Sequence, residues 1–210
     1  MPRLPKEVGN KIRVAFIEAG AKERVDIYMK AKLHVGSLLL ATILSKISDT
    51  YEVRCIVTDI AQPDKRTWKW LSKIDVACFT VLTPNFGPTL DFIRKLRSVN
   101  PNVIVIVGGF EPSGNPTRSL QRPEIDYVGI GEGERTIPEF IQALQNGKVH
   151  KVNGLAFLDI NGKPHFNPPR KRLTSAELNN LPFEDYNLLF DPKKQRTTAT
   201  VQWSRGCRNR

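Results

Sequence analysis

Small and hydroxyl-bearing residues gather in short stretches of this sequence, and their types suit the binding of a ligand rather than acid–base chemistry. Thr80 and Thr83 flank Leu82 in "FTVLTPNF", and the paired glycines Gly108 and Gly109 lie in "VGGFEPSG". A hydroxyl group binds polar ligand atoms, and glycine lets a backbone pass close to another group. The alternative is structural, because threonine is also a common strand residue and glycine also turns the chain.

A third stretch, "GIGEGE" at 129–134, is rich in glycine and leads toward a helix. Backbone N–H groups in such a turn can bind an anion or a ring system. The stretch lacks the lysine and the serine or threonine of a phosphate-binding loop, and the carboxylates of Glu132 and Glu134 disfavour a polyphosphate. Gly131, Glu132 and Gly133 therefore suit a neutral or bulky ligand, or a contact with another domain.

The sequence offers little else for catalysis. It contains no set of nucleophile, histidine and acid that would indicate hydrolysis, and no second metal ligand close to His34. A lone histidine near a helix start is more often a capping or packing residue than a base or a ligand. Cys55 and Cys78 lie in apolar runs, which predicts reduced, buried thiols in a cytoplasmic protein.

Alternating strands and helices position these stretches. Predicted strands are 12–18, 51–60, 75–82, 102–109 and 125–134, and predicted helices are 35–47, 64–73, 87–100 and 136–147. Strands that each lead into a crossover predict a parallel sheet covered on both faces. The length suits an α/β, flavodoxin-like (Rossmann-type) doubly wound domain with five parallel strands in the order 2-1-3-4-5. Its ligand crevice lies at the carboxyl ends of strands one and three.

The pattern changes after Gly147. Two strand-like runs flank "DINGKP", whose Asn-Gly predicts a hairpin; a connector follows at 174–190, and "TATVQWS" predicts a new strand at 198–204. The expected segments are a ligand-binding domain at 1–147, a hairpin and connector at 148–196, and the start of a further domain at 197–210.

Composition and charge exclude some classes of protein. No apolar run approaches the roughly 20 residues that span a bilayer, and the first residues lack the apolar core of a signal peptide. The net charge is +11, but residues 33–162 carry 14 basic and 13 acidic side chains, so the excess belongs to the two ends. A nucleic-acid binder more often shows a basic face with aromatic side chains, so this distribution disfavours nucleic acid as a partner.

Five motifs follow one another along the chain: "VGGFEPSGNP", "IDYVGIGEGERTIPEFIQAL", "VNGLAFLDINGKP", "ELNNLPFEDYNLL" and "SRGC". In this combination the sequence resembles the cobalamin-binding domain that precedes the barrel of cobalamin-dependent radical S-adenosylmethionine enzymes. The likeness covers nearly the whole chain. It implies a corrinoid partner and a parent enzyme that is often a methyltransferase acting on an unactivated carbon or phosphorus.

The resemblance also implies an iron–sulfur site. In the family, "SRGC" ends the first strand of a TIM-like barrel and supplies the first cysteine of a C-x-x-x-C-x-x-C motif, which holds a 4Fe–4S cluster. Cys207 would be that metal ligand, and the next would fall at position 211, just past Arg210. The chain is therefore expected to be the N-terminal fragment of a radical enzyme, inactive alone because its cluster motif is incomplete.

The same resemblance implies three groups of cobalamin-binding residues. They are Thr80, Leu82 and Thr83 beside the nucleotide tail, Gly108 and Gly109 where backbone approaches that tail, and Gly131, Glu132 and Gly133 at the pocket edge. The D-x-H-x-x-G motif that supplies a histidine to cobalt in other cobalamin proteins is absent. No cobalt ligand is therefore expected from the loop that contains His34.

The leading hypothesis is a domain that positions a corrinoid beside the 4Fe–4S cluster and the S-adenosylmethionine of a parent enzyme. The parent's substrate would be a small-molecule or natural-product-like compound. One alternative is a cofactor-free flavodoxin-like recognition or interaction module, in which the glycine loops only turn the chain. Another is a nucleic-acid-modifying enzyme that uses its basic ends.

Overall fold

The computed structural model describes residues 11–20, 35–58 and 63–190. Its strands are β1 (Ile12–Ala19), β2 (Tyr51–Thr58), β3 (Val76–Thr80), β4 (Ile104–Gly108), β5 (Tyr127–Gly129), β6 (Leu155–Leu158) and β7 (Pro164–Phe166). Its α-helices are α1 (Val35–Ile47), α2 (Lys65–Leu71), α3 (Phe86–Val99), α4 (Phe110–Gly114), α5 (Pro116–Leu120), α6 (Gly133–Asn146) and α7 (Ser175–Asn179). No helix of the described residues combines the length and the apolar character needed to cross a membrane.

The strands form one sheet in the order β2-β1-β3-β4-β5-β6-β7. Strands β1 to β5 pair in parallel, whereas β6 and β7 pair antiparallel. The α/β fold class is confirmed, and the first five strands follow the order 2-1-3-4-5. The sheet is larger than predicted, because the hairpin of β6 and β7 adds two antiparallel strands to the open edge of β5.

Both faces of the sheet are buried, which explains why its central strands are apolar throughout. Along β4, Ile104 and Ile106 point into a cluster with α1 and α6, and Val105 and Val107 point into a second cluster with α2 and α3. All four side chains are at most 1% exposed. Parallel strands with helices on both faces require this continuous apolar run rather than an alternating pattern.

Local signals in the sequence set several helix ends. The predicted Asp64 cap of α2 is confirmed, since its carboxylate accepts a hydrogen bond from the Thr67 backbone N–H at 2.8 Å. Helix α6 ends at Gly147, whose left-handed φ of 65° suits glycine. The predicted strand 125–134 is wrong beyond Gly129, because α6 already begins at Gly133.

The predicted hairpin and connector are both present. The connector returns to α1 and the opposite edge of the sheet. Its Asp185 N–H donates to the Thr42 hydroxyl of α1 at 2.8 Å, and its Phe190 N–H donates to the Cys55 carbonyl of β2 at 3.0 Å. Leu189 forms a parallel bridge with Cys55, so the connector covers part of the β2 edge. The predicted strand at 198–204 lies outside the described residues.

Candidate ligand site at the carboxyl edge of the sheet

The winding of the chain reverses between β1 and β3. Helix α1, which follows β1, packs on one face of the sheet, and α3, which follows β3, packs on the other. Asn85 joins the two strand ends: its Nδ2 donates to the Ala19 carbonyl at 3.2 Å, and its Oδ1 accepts from the Leu82 N–H at 2.7 Å. A ligand crevice is expected at such a switch point.

Thr80 lies at the end of β3, directly opposite Gly108 in the register of β3 and β4. Its hydroxyl is 2.6 Å from the Ser37 hydroxyl on the first turn of α1. In such a pair one hydroxyl donates to the other, so one hydroxyl proton remains for a further acceptor. The pair therefore ties α1 to β3, and when Ser37 is the donor the Thr80 hydroxyl proton is left for a ligand.

The fold requires glycine at only one of the two glycine positions at the end of β4. Gly109 has φ of 106°, and a Cβ there would lie 2.6 Å from the Val81 carbonyl oxygen, so the backbone requires glycine. Gly108 has no such constraint, because the nearest atom to its Cβ position is the Gly129 carbonyl oxygen at 3.7 Å. The fold alone explains Gly109 and leaves Gly108 unexplained.

A polar network fastens the loop after β3 to the helices after β4. The Thr83 hydroxyl donates to Glu111 Oε2 at 2.7 Å, and an Arg118 terminal nitrogen donates to Glu111 Oε1 at 2.6 Å. The Arg118 guanidinium also lies 4.9 Å from the centre of the Phe86 ring. Both carboxylate oxygens of Glu111 are thus occupied, which holds the two loops in a fixed relation.

The loop after β5 is connected in two directions. The Gly131 N–H donates to the Ser113 hydroxyl on α4 at 3.0 Å, and Glu132 Oε2 accepts from the Leu173 N–H of the connector at 2.8 Å. Gly133 allows α6 to approach α1, because a Cβ there would lie 2.9 Å from a methyl group of Leu40. At Gly131 a Cβ would meet open space, but the φ of 80° favours glycine there.

The structure therefore brings seven of the predicted residues to one edge and adds partners that sequence reasoning missed. Five lie at the exits of β3 and β4: Thr80, Leu82, Thr83, Gly108 and Gly109. Two lie at the exit of β5: Gly131 and Glu132. The eighth predicted residue, Gly133, faces α1 instead. The missed partners are Ser37, Asn85, Glu111, Ser113 and Arg118. Most of these pairings join residues that are far apart in the sequence, as Ser37 with Thr80 and Glu111 with Thr83 do, so no local pattern predicts them. Cys207 and His34 lie outside the described residues.

A groove of about 530 Å³ lies elsewhere, between α2 and the connector. Its wall includes Arg13 and Glu52, near the amino ends of β1 and β2, together with Trp70 and Phe190. It is remote from the strand exits. The hydroxyls and small residues at the carboxyl edge, together with the switch point of the sheet, make that edge the stronger ligand site.

The model of the B12 binding domain family matches residues 34–141, just over half of the chain. The chain is 28% identical over 179 residues to an uncharacterized methyltransferase of Pyrococcus horikoshii, covering 80% of this chain and 38% of that protein. It is 27% identical over 166 residues to the cytidylyl-2-hydroxyethylphosphonate methyltransferase of Streptomyces wedmorensis, covering 63% of this chain and 31% of that protein. The chain thus spans only about a third of these relatives.

Two solved structures share the fold. One is the cobalamin-dependent S-adenosylmethionine radical enzyme OxsB with aqua-cobalamin and S-adenosylmethionine bound, at a TM-score of 0.64 and 21% identity, covering 77% of this chain and 23% of that chain. The other is the radical S-adenosylmethionine methyltransferase TsrM from Kitasatospora setae, at a TM-score of 0.61 and 19% identity, covering 75% of this chain and 30% of that chain.

Proposed function

The chain belongs to the B12-binding domain family, and from this premise we propose that it holds cobalamin at the carboxyl edge of its sheet. The observation that carries the proposal is Gly108. It lies opposite Thr80 at the exit of β4, beside the switch point, and neither its backbone angle nor its packing requires glycine. A glycine that the fold does not need is best explained by a ligand that approaches the backbone there.

The chemistry of the edge fits this cofactor. Cobalamin presents a large ring system with amide side chains and a nucleotide tail with one phosphodiester, so most of its polar atoms are neutral. The edge offers hydroxyl groups and space beside Gly108, while its carboxylates Glu111 and Glu132 accept hydrogen bonds from the protein itself. The charge of Glu111 is offset by Arg118, but that of Glu132 would oppose a polyphosphate and not a largely neutral ligand.

The residues have separate roles in this proposal. Thr80, Leu82 and Thr83 contact the nucleotide tail, Thr80 through its hydroxyl and Thr83 through the lone pairs that its hydroxyl oxygen keeps while it donates to Glu111. Gly108 and Gly109 let the β4 exit approach the tail. Gly131, Glu132 and Gly133 form the far edge of the pocket, where Gly133 sets the position of α6. Bound cobalamin supplies the group-transfer chemistry of its cobalt, while the protein binds, orients and shields it.

For the whole protein we propose a radical S-adenosylmethionine enzyme, with methyl transfer to a small-molecule or natural-product-like substrate. The support is the methyltransferase names of the relatives and the order of the five sequence motifs. In this proposal residues 1–147 bind the corrinoid, 148–196 connect, and 197–210 begin a barrel in which Cys207 is the first cluster ligand. A cytoplasmic location and the absence of nucleic-acid partners remain predictions.

A binding experiment with one variant tests the cobalamin site. The purified chain is mixed with hydroxocobalamin and desalted, and retention of the corrin absorption band is measured for wild type and Gly108→Val. We expect wild type to retain the band and the variant to lose most of it, because the valine methyl groups fill the space beside Thr80. Thermal unfolding is measured alongside, and Gly108→Ala, whose Cβ would lie 3.7 Å from its nearest atom, should unfold at nearly the wild-type temperature.

The cofactor-free module makes the opposite prediction. Wild type would then emerge colourless, and Gly108→Val would change neither colour nor affinity. If wild type binds cobalamin but the variant binds it equally well, the cofactor lies elsewhere and the assignment of Gly108 is wrong.

A further inference from the structure

Phe110 is a large apolar side chain on the candidate edge, and it is 85% exposed. It is the first residue of α4 and follows Gly109 directly. We propose that Phe110 is a cobalamin-contacting residue whose phenyl ring packs against a flat ring of the cofactor. This inference rests on the proposed function and adds to it a residue that the family resemblance did not assign.

Exposure alone would not support this, because single exposed apolar residues are common on protein surfaces. Phe183 in the connector is 87% exposed and illustrates such a residue. What distinguishes Phe110 is that the backbone on both sides of it is fixed. Gly109 lies against the Val81 carbonyl, and the Glu111 N–H donates to that same carbonyl at 3.3 Å.

Side chains hold the rest of α4 in place. Glu111 accepts from the Thr83 hydroxyl on one side and from Arg118 on the other. Ser113 accepts from the Gly131 N–H at 3.0 Å, which ties α4 to the exit of β5. Five residues of helix are thus anchored to the exits of both flanking strands, and the phenyl ring is presented outward from a rigid base.

The residues near Phe110 indicate which kind of ligand could pack against its ring. Gly108, which has space at its Cβ position, and Gly131, whose φ of 80° favours glycine, belong to the strand exits that α4 joins. A ligand that approaches the backbone at Gly108 lies beside a segment whose residue two positions further along the chain is Phe110. An apolar ring pairs favourably with another flat ring in stacked or edge-on geometry, and pre-organisation lowers the entropy lost on binding.

The test compares hydroxocobalamin affinity of the full chain by equilibrium dialysis, with bound corrin measured by absorbance. Phe110→Ala should raise the Kd about tenfold, the size of effect that loss of one aromatic contact produces. Phe110→Trp should restore binding to within about threefold of wild type, because it keeps a flat ring. Phe183→Ala is the matched control, equal in chemistry and exposure, and should leave the Kd unchanged.

The outcomes separate the two proposals. Wild-type binding together with an unchanged Kd for Phe110→Ala would overturn the contact and leave the cobalamin site standing; the ring would then belong to a contact with another domain. An equal loss of affinity in Phe183→Ala would also overturn it. Failure of wild type to bind would remove both proposals at once. Thermal unfolding should be unchanged in all variants, since both side chains are exposed.

Discussion

Gly108 and Gly109 are adjacent and chemically identical, yet the fold needs only one of them. Gly109 adopts φ of 106° and ψ of −168°, a region open essentially to glycine, and its Cβ position is closed by the Val81 carbonyl. Gly108 lies in ordinary strand backbone opposite Thr80. The fold therefore requires glycine at position 109, whereas at position 108 the reason for glycine is the ligand contact proposed above.

This difference predicts unequal effects of alanine on stability. Gly109→Ala should lower the free energy of unfolding by at least about 2 kcal/mol, because it combines backbone strain with a contact of 2.6 Å to a carbonyl oxygen. Gly108→Ala should change it by no more than about 0.5 kcal/mol. Urea denaturation of the two variants measures both values, and similar losses for the pair would contradict the distinction.

Sequence reasoning identified both glycines but had no means of telling them apart. The strand-four exit was predicted correctly from the apolar run before it and the glycines themselves. The requirement at Gly109 depends on the Val81 carbonyl, which belongs to a different strand. Thr83 is similar: its hydroxyl is visible in the sequence, but its partner Glu111 is 28 residues away. Pairings of this range follow from topology rather than from local pattern.

At the scale of elements, the ion pair of Arg13 and Glu52 joins the first two strands to α2. Glu52 Oε2 accepts from the Arg13 side chain at 2.9 Å, and Oε1 accepts from the Trp70 indole N–H at 2.8 Å. The Trp70 hydrogen bond, followed by the hydrogen bond and charge of Arg13, lowers the pKa of Glu52 below its ordinary value, although partial burial opposes this. The carboxylate is therefore more acidic in the folded state than in the unfolded state.

The sign of the pH dependence follows from that lowered pKa. The stabilisation is fully present above the unfolded pKa and is lost as the pH falls through the folded value. Glu52→Gln should therefore be less stable than wild type at pH 7 by about 0.5 kcal/mol, a small value because the pair is partly exposed. The difference should shrink below about pH 4. Urea unfolding at pH 7 and pH 3.5 checks this, and a gap that widens in acid would contradict it.

The hairpin shows what element-level prediction could and could not reach. Asn-Gly in "DINGKP" specifies a tight turn between two short strands, and β6 and β7 form there as predicted. The turn sequence does not predict that β6 also pairs antiparallel with β5. It follows from the edge that β5 leaves open, because an unpaired strand edge is satisfied by the nearest extended segment.

At the scale of the whole molecule, the connector binds the two edges of the sheet into one unit. It leaves the hairpin at the β5 side, contacts the start of α6 through Leu173 and Glu132, and ends beside β2 at Leu189. Leu189 is 6% exposed and belongs to the same buried cluster as Cys55 and Cys78. The connector is thus part of the core and not a free tether, at least through Phe190.

Labelling of the two buried thiols can show whether the connector and the sheet unfold together. Burial raises the pKa of Cys78, and burial with the nearby charge of Glu18 raises the pKa of Cys55, so neither thiol forms a reactive thiolate at pH 8. Cys55 lies under the connector in β2, whereas Cys78 lies in central β3. We expect both to resist iodoacetamide in the native state and to become labelled over the same urea range, as followed by peptide mass spectrometry. Labelling of Cys55 at lower urea than Cys78 would mean that the connector and the β2 edge open first, and that the domain is held together less tightly than its shared core implies.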